Sequence, residues 1–200
     1  YQEGIYLGYR YAETRYEDVV MGTGNAGDFD YSSVVAYPFG YGLSYTTFTQ
    51  EMSVLTEDLT NGTLSFEVTV TNTGDVAGKD VVQVYYNPPY TNGGIEKASA
   101  NLIAFDKTDM LEPGASQTLS FTIKLEDMAS YDTYGAGAYV LESGVYTISI
   151  NSDSHNILAS QEYIIPETIT YGDTSPRSTD AVAASNQFAF AEGDVTYLSR

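Results

Sequence analysis

Leu64-Ser65-Phe66-Glu67-Val68-Thr69-Val70-Thr71 alternates apolar and polar residues without a break. Successive side chains of an extended strand point to opposite faces, so Leu64, Phe66, Val68 and Val70 share one face and the polar residues share the other. The stretch reads as a half-buried strand, and Asn72-Thr73-Gly74-Asp75 turns the chain after it. The same pattern continues outward. A second strand is expected over residues 80–87, ended by Pro88-Pro89, which lack the N–H groups a ladder needs. Residues 102–105 give a third. Residues 117–123, behind the Glu112-Pro113-Gly114 turn, give a fourth, and 138–141 a fifth. Residues 145–150 follow the Ser143-Gly144 turn as a sixth, and 157–165, closed by Pro166, form the last.

Short strands at this spacing, with turn signals between them and no convincing helix, predict an all-β, immunoglobulin-like sandwich. The chain has no Cys and no Trp, so the antibody-type Cys…Trp…Cys core is excluded and a fibronectin type III-like sandwich fits better. The missing cysteines also exclude disulfides, thiolate metal sites and a Cys nucleophile.

Two hundred residues, 42% of them apolar, suffice for one such sandwich with flanking pieces. Net charge is −19, with 8 Lys+Arg against 27 Asp+Glu. That balance argues against nucleic acid, whose phosphates need cations, and against anionic membrane surfaces. Solubility is the plain reading of the acidity. No apolar run is long enough to span a bilayer, and nothing at the start reads as a signal peptide. The sequence opens on Tyr1 and stops at Arg200 directly after apolar sequence. It is therefore read as a piece of a longer protein, with its compartment, cytoplasmic or secreted bacterial, left open.

The flanks differ from the middle. Residues 1–36 start with Glu3 to Tyr11, which mixes apolar and small residues in a strand-like or turn-like way, then pass through the loop Gly22-Thr23-Gly24-Asn25-Ala26-Gly27. That loop is only superficially a phosphate cradle, because Gly-Lys-Ser/Thr is missing. A segment of this size cannot bury its own apolar face, so it needs another domain or must lie on the sandwich. Residues 37–50 hold Tyr37-Pro38-Phe39-Gly40-Tyr41-Gly42-Leu43-Ser44-Tyr45, too stiff and too apolar for a free linker, and are read as a buried join between domains. Residues 51–166 are the sandwich. Residues 167–200, rich in Thr, Ser, Asp and Ala, read as a tail or a linker to a further domain.

Four patches in order carry a resemblance. Glu3-Gly4-Ile5-Tyr6-Leu7-Gly8-Tyr9-Arg10-Tyr11 resembles the final strand region of the α/β sandwich domain of glycoside hydrolase family 3. The stretch from Pro38 to Phe48 is similar to that family's connection into its C-terminal domain. The stretch from Val68 to Tyr85, with its Asn-Thr-Gly turn, resembles the opening strands of the family's fibronectin III-like domain. Leu111-Glu112-Pro113-Gly114 and Ser143-Gly144-Val145-Tyr146-Thr147-Ile148 are similar to later turns and strands there. The resemblance implies the C-terminal part of a β-glucosidase- or β-xylosidase-type enzyme. Such a parent cleaves terminal β-linked sugars with retention, uses two carboxyl groups about 5–5.5 Å apart, and needs no cofactor. The family's nucleophile is an Asp in a Ser-Asp-Trp or Ser-Asp-Tyr setting in the barrel domain. Here Ser152-Asp153 is followed by Ser154 in a turn, and the acid/base belongs to a part upstream of the match. No catalytic residue is assigned and no metal site is expected. The piece by itself is expected to be inactive, with the other domains of the parent as its partners. The competing reading is a non-catalytic module, carbohydrate-binding or a cell-surface spacer.

Candidate positions follow. Pro88 to Asn101 is the long loop of the sandwich, and Tyr90, Asn92 and Glu96 in it are the substrate-proximal candidates, since long loops on rigid scaffolds often carry function. Glu3 and Arg10 are read as an ion pair or solvated charge, with sugar lining as the sharper alternative. Tyr41 and Tyr45 are read as packing at the join, with stacking on sugar rings as the alternative. His155, the one histidine, is read as a turn residue. Asp28-Phe29-Asp30 lacks the remaining ligands of a calcium loop, and Asn61-Gly62-Thr63 is read as a plain turn although it matches a glycosylation sequon.

Overall fold

The computed structural model describes residues 3–191 and 193–200. Two helices come first, α1 (Tyr9–Met21) and α2 (Tyr31–Val34). The strands are β1 (Phe48–Met52), β2 (Thr56–Asp58), β3 (Thr63–Asn72), β4 (Val81–Asn87), β5 (Asn101–Lys107), β6 (Ser116–Lys124), β7 (Ser130–Asp132), β8 (Ala138–Leu141), β9 (Gly144–Asn151), β10 (Ile157–Ile165) and β11 (Ile169–Tyr171). Each strand expected from the sequence is present, as β3, β4, β5, β6, β8, β9 and β10.

The alternating stretch is the spine of one sheet. β6 pairs with β3 antiparallel, Val68 opposite Leu119 and Phe66 opposite Phe121, while β1 and β2 share the other edge of β3. The second sheet runs β10-β9-β4-β5, and a small third sheet runs β11-β8-β7. Leu64, Phe66, Val68 and Val70 meet Val82, Val84, Ile148 and Ile150 in one buried core. The Phe66 and Phe121 rings stack at 5.5 Å. Burying each such side chain stabilises the fold by about 1.5–3 kcal/mol. On the solvent side the same strands pair hydroxyls, Ser65 with Thr122 at 3.1 Å and Thr69 with Thr118 at 3.0 Å. The alternation thus records a two-faced sheet.

The Asn72 turn is held by more than turn propensity. Its buried amide donates to the carbonyls of Val76 and Leu111, both at 2.8 Å, and its Oδ1 accepts from Thr46 Oγ1 at 2.8 Å and from Gly74 N at 3.1 Å.

Two expectations for the flanks change. Glu3 to Tyr11, read as strand-like or turn-like, runs into α1, which lies on the outer face of the second sheet. Residues 167–200, read as tail or linker, add β11 to the third sheet and return to bury Arg200 against α1. Among the described residues no helix is long and apolar enough to cross a membrane.

Candidate functional site

α1 explains why its sequence pattern was not helical to the eye. Its buried residues are Ala12, Glu13, Thr14, Arg15 and Asp18, a polar face turned inward. A helix is recognised in sequence by an apolar stripe, and this one has charges in its place. The helix ends at Gly22, whose left-handed φ of 64° closes it, with Thr23 N donating to Asp18 O at 2.9 Å. Thr14 Oγ1 accepts from Ser99 N at 3.0 Å, and the Tyr9 hydroxyl accepts from Leu102 N at 3.1 Å. The helix is therefore stitched to β5 and to the strand's approach.

Two polar clusters flank it. In the first, Arg200 Nε donates to Asp18 Oδ1 at 2.6 Å, and its Nη2 pairs with Glu17. Its guanidinium lies 4.4 Å from the centre of the Tyr90 ring, and its backbone N donates to Glu96 Oε2 at 3.1 Å. Burial opposes the Arg200 charge, but its hydrogen bond to Asp18 and the charge of Glu17 outweigh it and raise its pKa. Glu96 also accepts from the hydroxyls of Tyr6 and Ser199. Burial, reinforced by that bond to Glu96, holds Tyr6 protonated well above the usual tyrosine range. Arg15 donates to Ser199 O at 2.9 Å. Lys97, buried beside them, donates to Pro89 O at 2.7 Å and pairs with Glu142.

Of the three loop candidates, Tyr90 and Glu96 are thus brought together around Arg200. Asn92 is exposed at the rim of a groove shared with Tyr90, Glu17 and Arg200. The residue that organises them, Arg200, was not singled out in the sequence. An arginine preceded by the apolar Val195-Thr196-Tyr197-Leu198 was its only local signal.

In the second cluster Glu13, 5% exposed, accepts from Ser154 Oγ at 2.8 Å and from the Tyr31 hydroxyl at 2.6 Å, and its Oε2 lies 2.8 Å from His155 Nδ1. The His155 ring stacks on Tyr31 at 4.0 Å. His155 is in a turn, as expected, but it is also a fastener between that turn and α1. Asp153 of Ser152-Asp153 is spent on the same turn, accepting from His155 N at 3.0 Å and Asn156 N at 2.9 Å.

The other positions resolve simply. Asp30 caps α2 by accepting from Ser32 N at 3.1 Å, and no His/Cys/Asp/Glu group able to hold a metal occurs among the described residues. Asn61 bonds Asp58 within the β2–β3 turn. Glu3 is exposed on a tyrosine-lined cleft and Arg10 is exposed on α1, the placement of solvated charges.

Within this chain the join is exposed: Leu43 is 89% and Tyr45 99% exposed, and Tyr37 and Tyr41 are exposed too. Its other side is fixed. Phe39 stacks on Tyr9 at 4.5 Å, Ser154 N donates to Phe39 O at 2.8 Å, and Gln83 Nε2 donates to Gly40 O at 3.0 Å. The segment is anchored on the sandwich by Phe39 and by backbone contacts, which leaves Tyr37, Tyr41, Leu43 and Tyr45 exposed.

Comparison with known proteins places this architecture. The family model for the fibronectin type III-like domain matches residues 80–154. Beta-glucosidase A of Butyrivibrio fibrisolvens is 39% identical over 163 residues, covering 73% of this chain and 18% of the relative. The structure of beta-glucosidase 3B from Thermotoga neapolitana in complex with alpha-D-glucose superposes with a TM-score of 0.65 at 36% identity, covering 86% of this chain and 21% of that one. The Bifidobacterium adolescentis GH3 beta-glucosidase superposes with a TM-score of 0.64 at 25% identity, over 94% of this chain and 23% of that one. The chain spans about a fifth of the length of these relatives.

Proposed function

Because the chain belongs to glycoside hydrolase family 3, as the C-terminal part that carries the fibronectin III-like domain, we propose that it braces the catalytic domains of a retaining β-glucosidase- or β-xylosidase-type enzyme. In this reading the parent hydrolyses terminal β-linked sugars, and the nucleophile and acid/base carboxyls are supplied by its other domains. The observation that carries the proposal is the join. Tyr37, Tyr41, Leu43 and Tyr45 form an exposed apolar row on a segment whose backbone is pinned to the sandwich. Large apolar side chains held out in this way mark a surface that another body covers. The occupant in this reading is the remainder of the same polypeptide, which the length of the relatives supports.

The 88–101 loop is assigned a second role in this reading, shaping which sugars approach. Its base is held by Tyr90 and Glu96, and its exposed tip carries Asn92. Replacing the loop by a short turn in the intact enzyme is expected to change kcat/KM unequally across β-linked substrates. Equal values would end that assignment.

The test of the main reading has two arms. The 200-residue chain is expected to show no turnover of an aryl β-glucoside, and steady turnover by it overturns the proposal. Tyr45→Ser and Leu43→Ser are expected to leave the melting temperature of this chain unchanged and to lower that of the whole polypeptide. Equal melting temperatures in the whole polypeptide refute the brace.

A further inference from the structure

α1 does not seal the sheet it lies on. Between its C-terminal half and the outer face of the second sheet is a cleft of about 300 Å³, at the small end of the range for ligand sites. The floor is β9. Thr147, Ser149 and Asn151 are alternate residues of one strand and face the same side, about 6.6 Å apart along it. Opposite them across the ladder stand Asn87 and Tyr85 of β4, Asn87 facing Thr147 and Tyr85 facing Ser149. Tyr16 closes the helix side, and Val20, Met21 and Ile157 form an exposed apolar mouth.

Asn151 is 2% exposed, and its Oδ1 has no hydrogen-bond partner. Buried polar groups of folded proteins are almost always bonded, so a buried amide oxygen left unbonded on a residue that lines a cleft calls for a hydrogen-bonding occupant. The chemistry of the lining narrows what that is. An amide and two hydroxyls each donate and accept, which suits a ligand that does both. Among the described residues no Lys or Arg lines the cleft, and its histidine, His155, is held by Glu13. Its carboxylates are already engaged, Glu13 by Ser154 and His155, Glu17 by Asn87 and Arg200. The Tyr85 hydroxyl is committed to Gln83 Oε1 at 2.9 Å, leaving its ring as an apolar wall.

We propose that the cleft between α1 and β9 binds a small uncharged polyol, between glycerol and a monosaccharide in size, with Asn151 and Ser149 as its hydrogen-bonding anchors. The proposal stands on the cleft alone and does not require the family 3 reading.

The test is an NMR titration of the whole ¹⁵N-labelled 200-residue chain with glycerol and, separately, with D-glucose. Saturable shifts are expected at Ser149, Asn151 and the Asn151 side-chain amide for at least one probe. Asn151→Ala is expected to weaken that binding at least tenfold. Ser149→Ala is the companion variant should Asn151→Ala fail to fold, with the same expected direction. Shifts linear in concentration for both probes overturn the proposal, as does unchanged affinity in a folded variant. A crystal grown with whichever probe gave saturable shifts, at saturating concentration, that shows only water on Asn151 also overturns it.

Discussion

His155 Nδ1 and Glu13 Oε2 lie 2.8 Å apart although 142 residues separate them in the chain. This contact joins the turn between β9 and β10 to the middle of α1, and Tyr31 closes the group by bonding Glu13 and stacking on His155. Glu13→Ala strips three partners of their acceptor in a buried place, and is expected to cost about 3 kcal/mol. His155→Phe keeps the stacked ring and loses the hydrogen bond, with an expected cost of about 1 kcal/mol. Urea denaturation measures both, and hydrogen exchange of α1 locates the damage. A Glu13→Ala variant as stable as the parent chain would refute the fastening role.

Arg200 and Asp18, the latter 1% exposed, form the other tie between α1 and a remote part of the chain. Each keeps one other partner, Arg15 for Asp18 and Glu17 for Arg200, so Arg200→Met and Asp18→Asn are each expected to lose a charged hydrogen bond's worth, about 1.5–3 kcal/mol. The double variant should lose less than the sum of the two, by about 0.5–3 kcal/mol. Strict additivity in the cycle would show that the two side chains do not act on each other.

The buried tyrosines set an alkaline limit. Burial pushes the Tyr86 pKa from 10.0 up to about 12, and burial likewise raises Tyr6, Tyr85 and Tyr146 beyond the usual range. The folded state then holds protons that the unfolded chain releases. Below pH 10 these groups add no slope to stability, and from pH 10 to about 12 stability falls as pH rises. Absorbance at 295 nm should show an early phase from exposed tyrosines and a late one that coincides with unfolding. A single phase centred near pH 10 would contradict this.

Gly40 and Gly42 offer a matched pair. Gly40 has φ 83°, and a Cβ there would stand 2.1 Å from Gln83 Oε1, whereas nothing lies within 4 Å of one on Gly42. Gly40→Ala is expected to destabilise by about 1–3 kcal/mol, through strain and through displacing Gln83 from the carbonyls of Gly40 and Ser152. Gly42→Ala should stay within about 0.5 kcal/mol of the parent chain. Thermal melts of the two decide it, and equal melts would remove the argument for the anchored join.

How much of this could be read beforehand differs by element. β3 and β6 were open to reading because each buries one face, and alternation along a strand is the direct imprint of that. The short strands β2, β7 and β11, of three residues each, carry too few residues to show any period. α1 is not legible because its inward charges are paired through tertiary contacts, and no periodicity of apolar residues marks that. Tyr90 and Glu96 were singled out as loop residues, and they do meet, but around an arginine more than a hundred residues further on.

Taken alone, the chain's residues determined its two-faced strands, its acidity, and the ordered motifs of glycoside hydrolase family 3. Each of these is local, since strand alternation, composition and turn chemistry depend on neighbours in sequence. The tertiary structure alone decided that a polar helix face would be buried, that Arg200 would return to meet Asp18, that the join's tyrosines would face outward, and that Asn151 Oδ1 would lie unbonded beneath α1. The physical reason is that a buried charge or amide is stabilised or left wanting by partners a hundred residues away, and only the folded chain brings those partners within bonding distance.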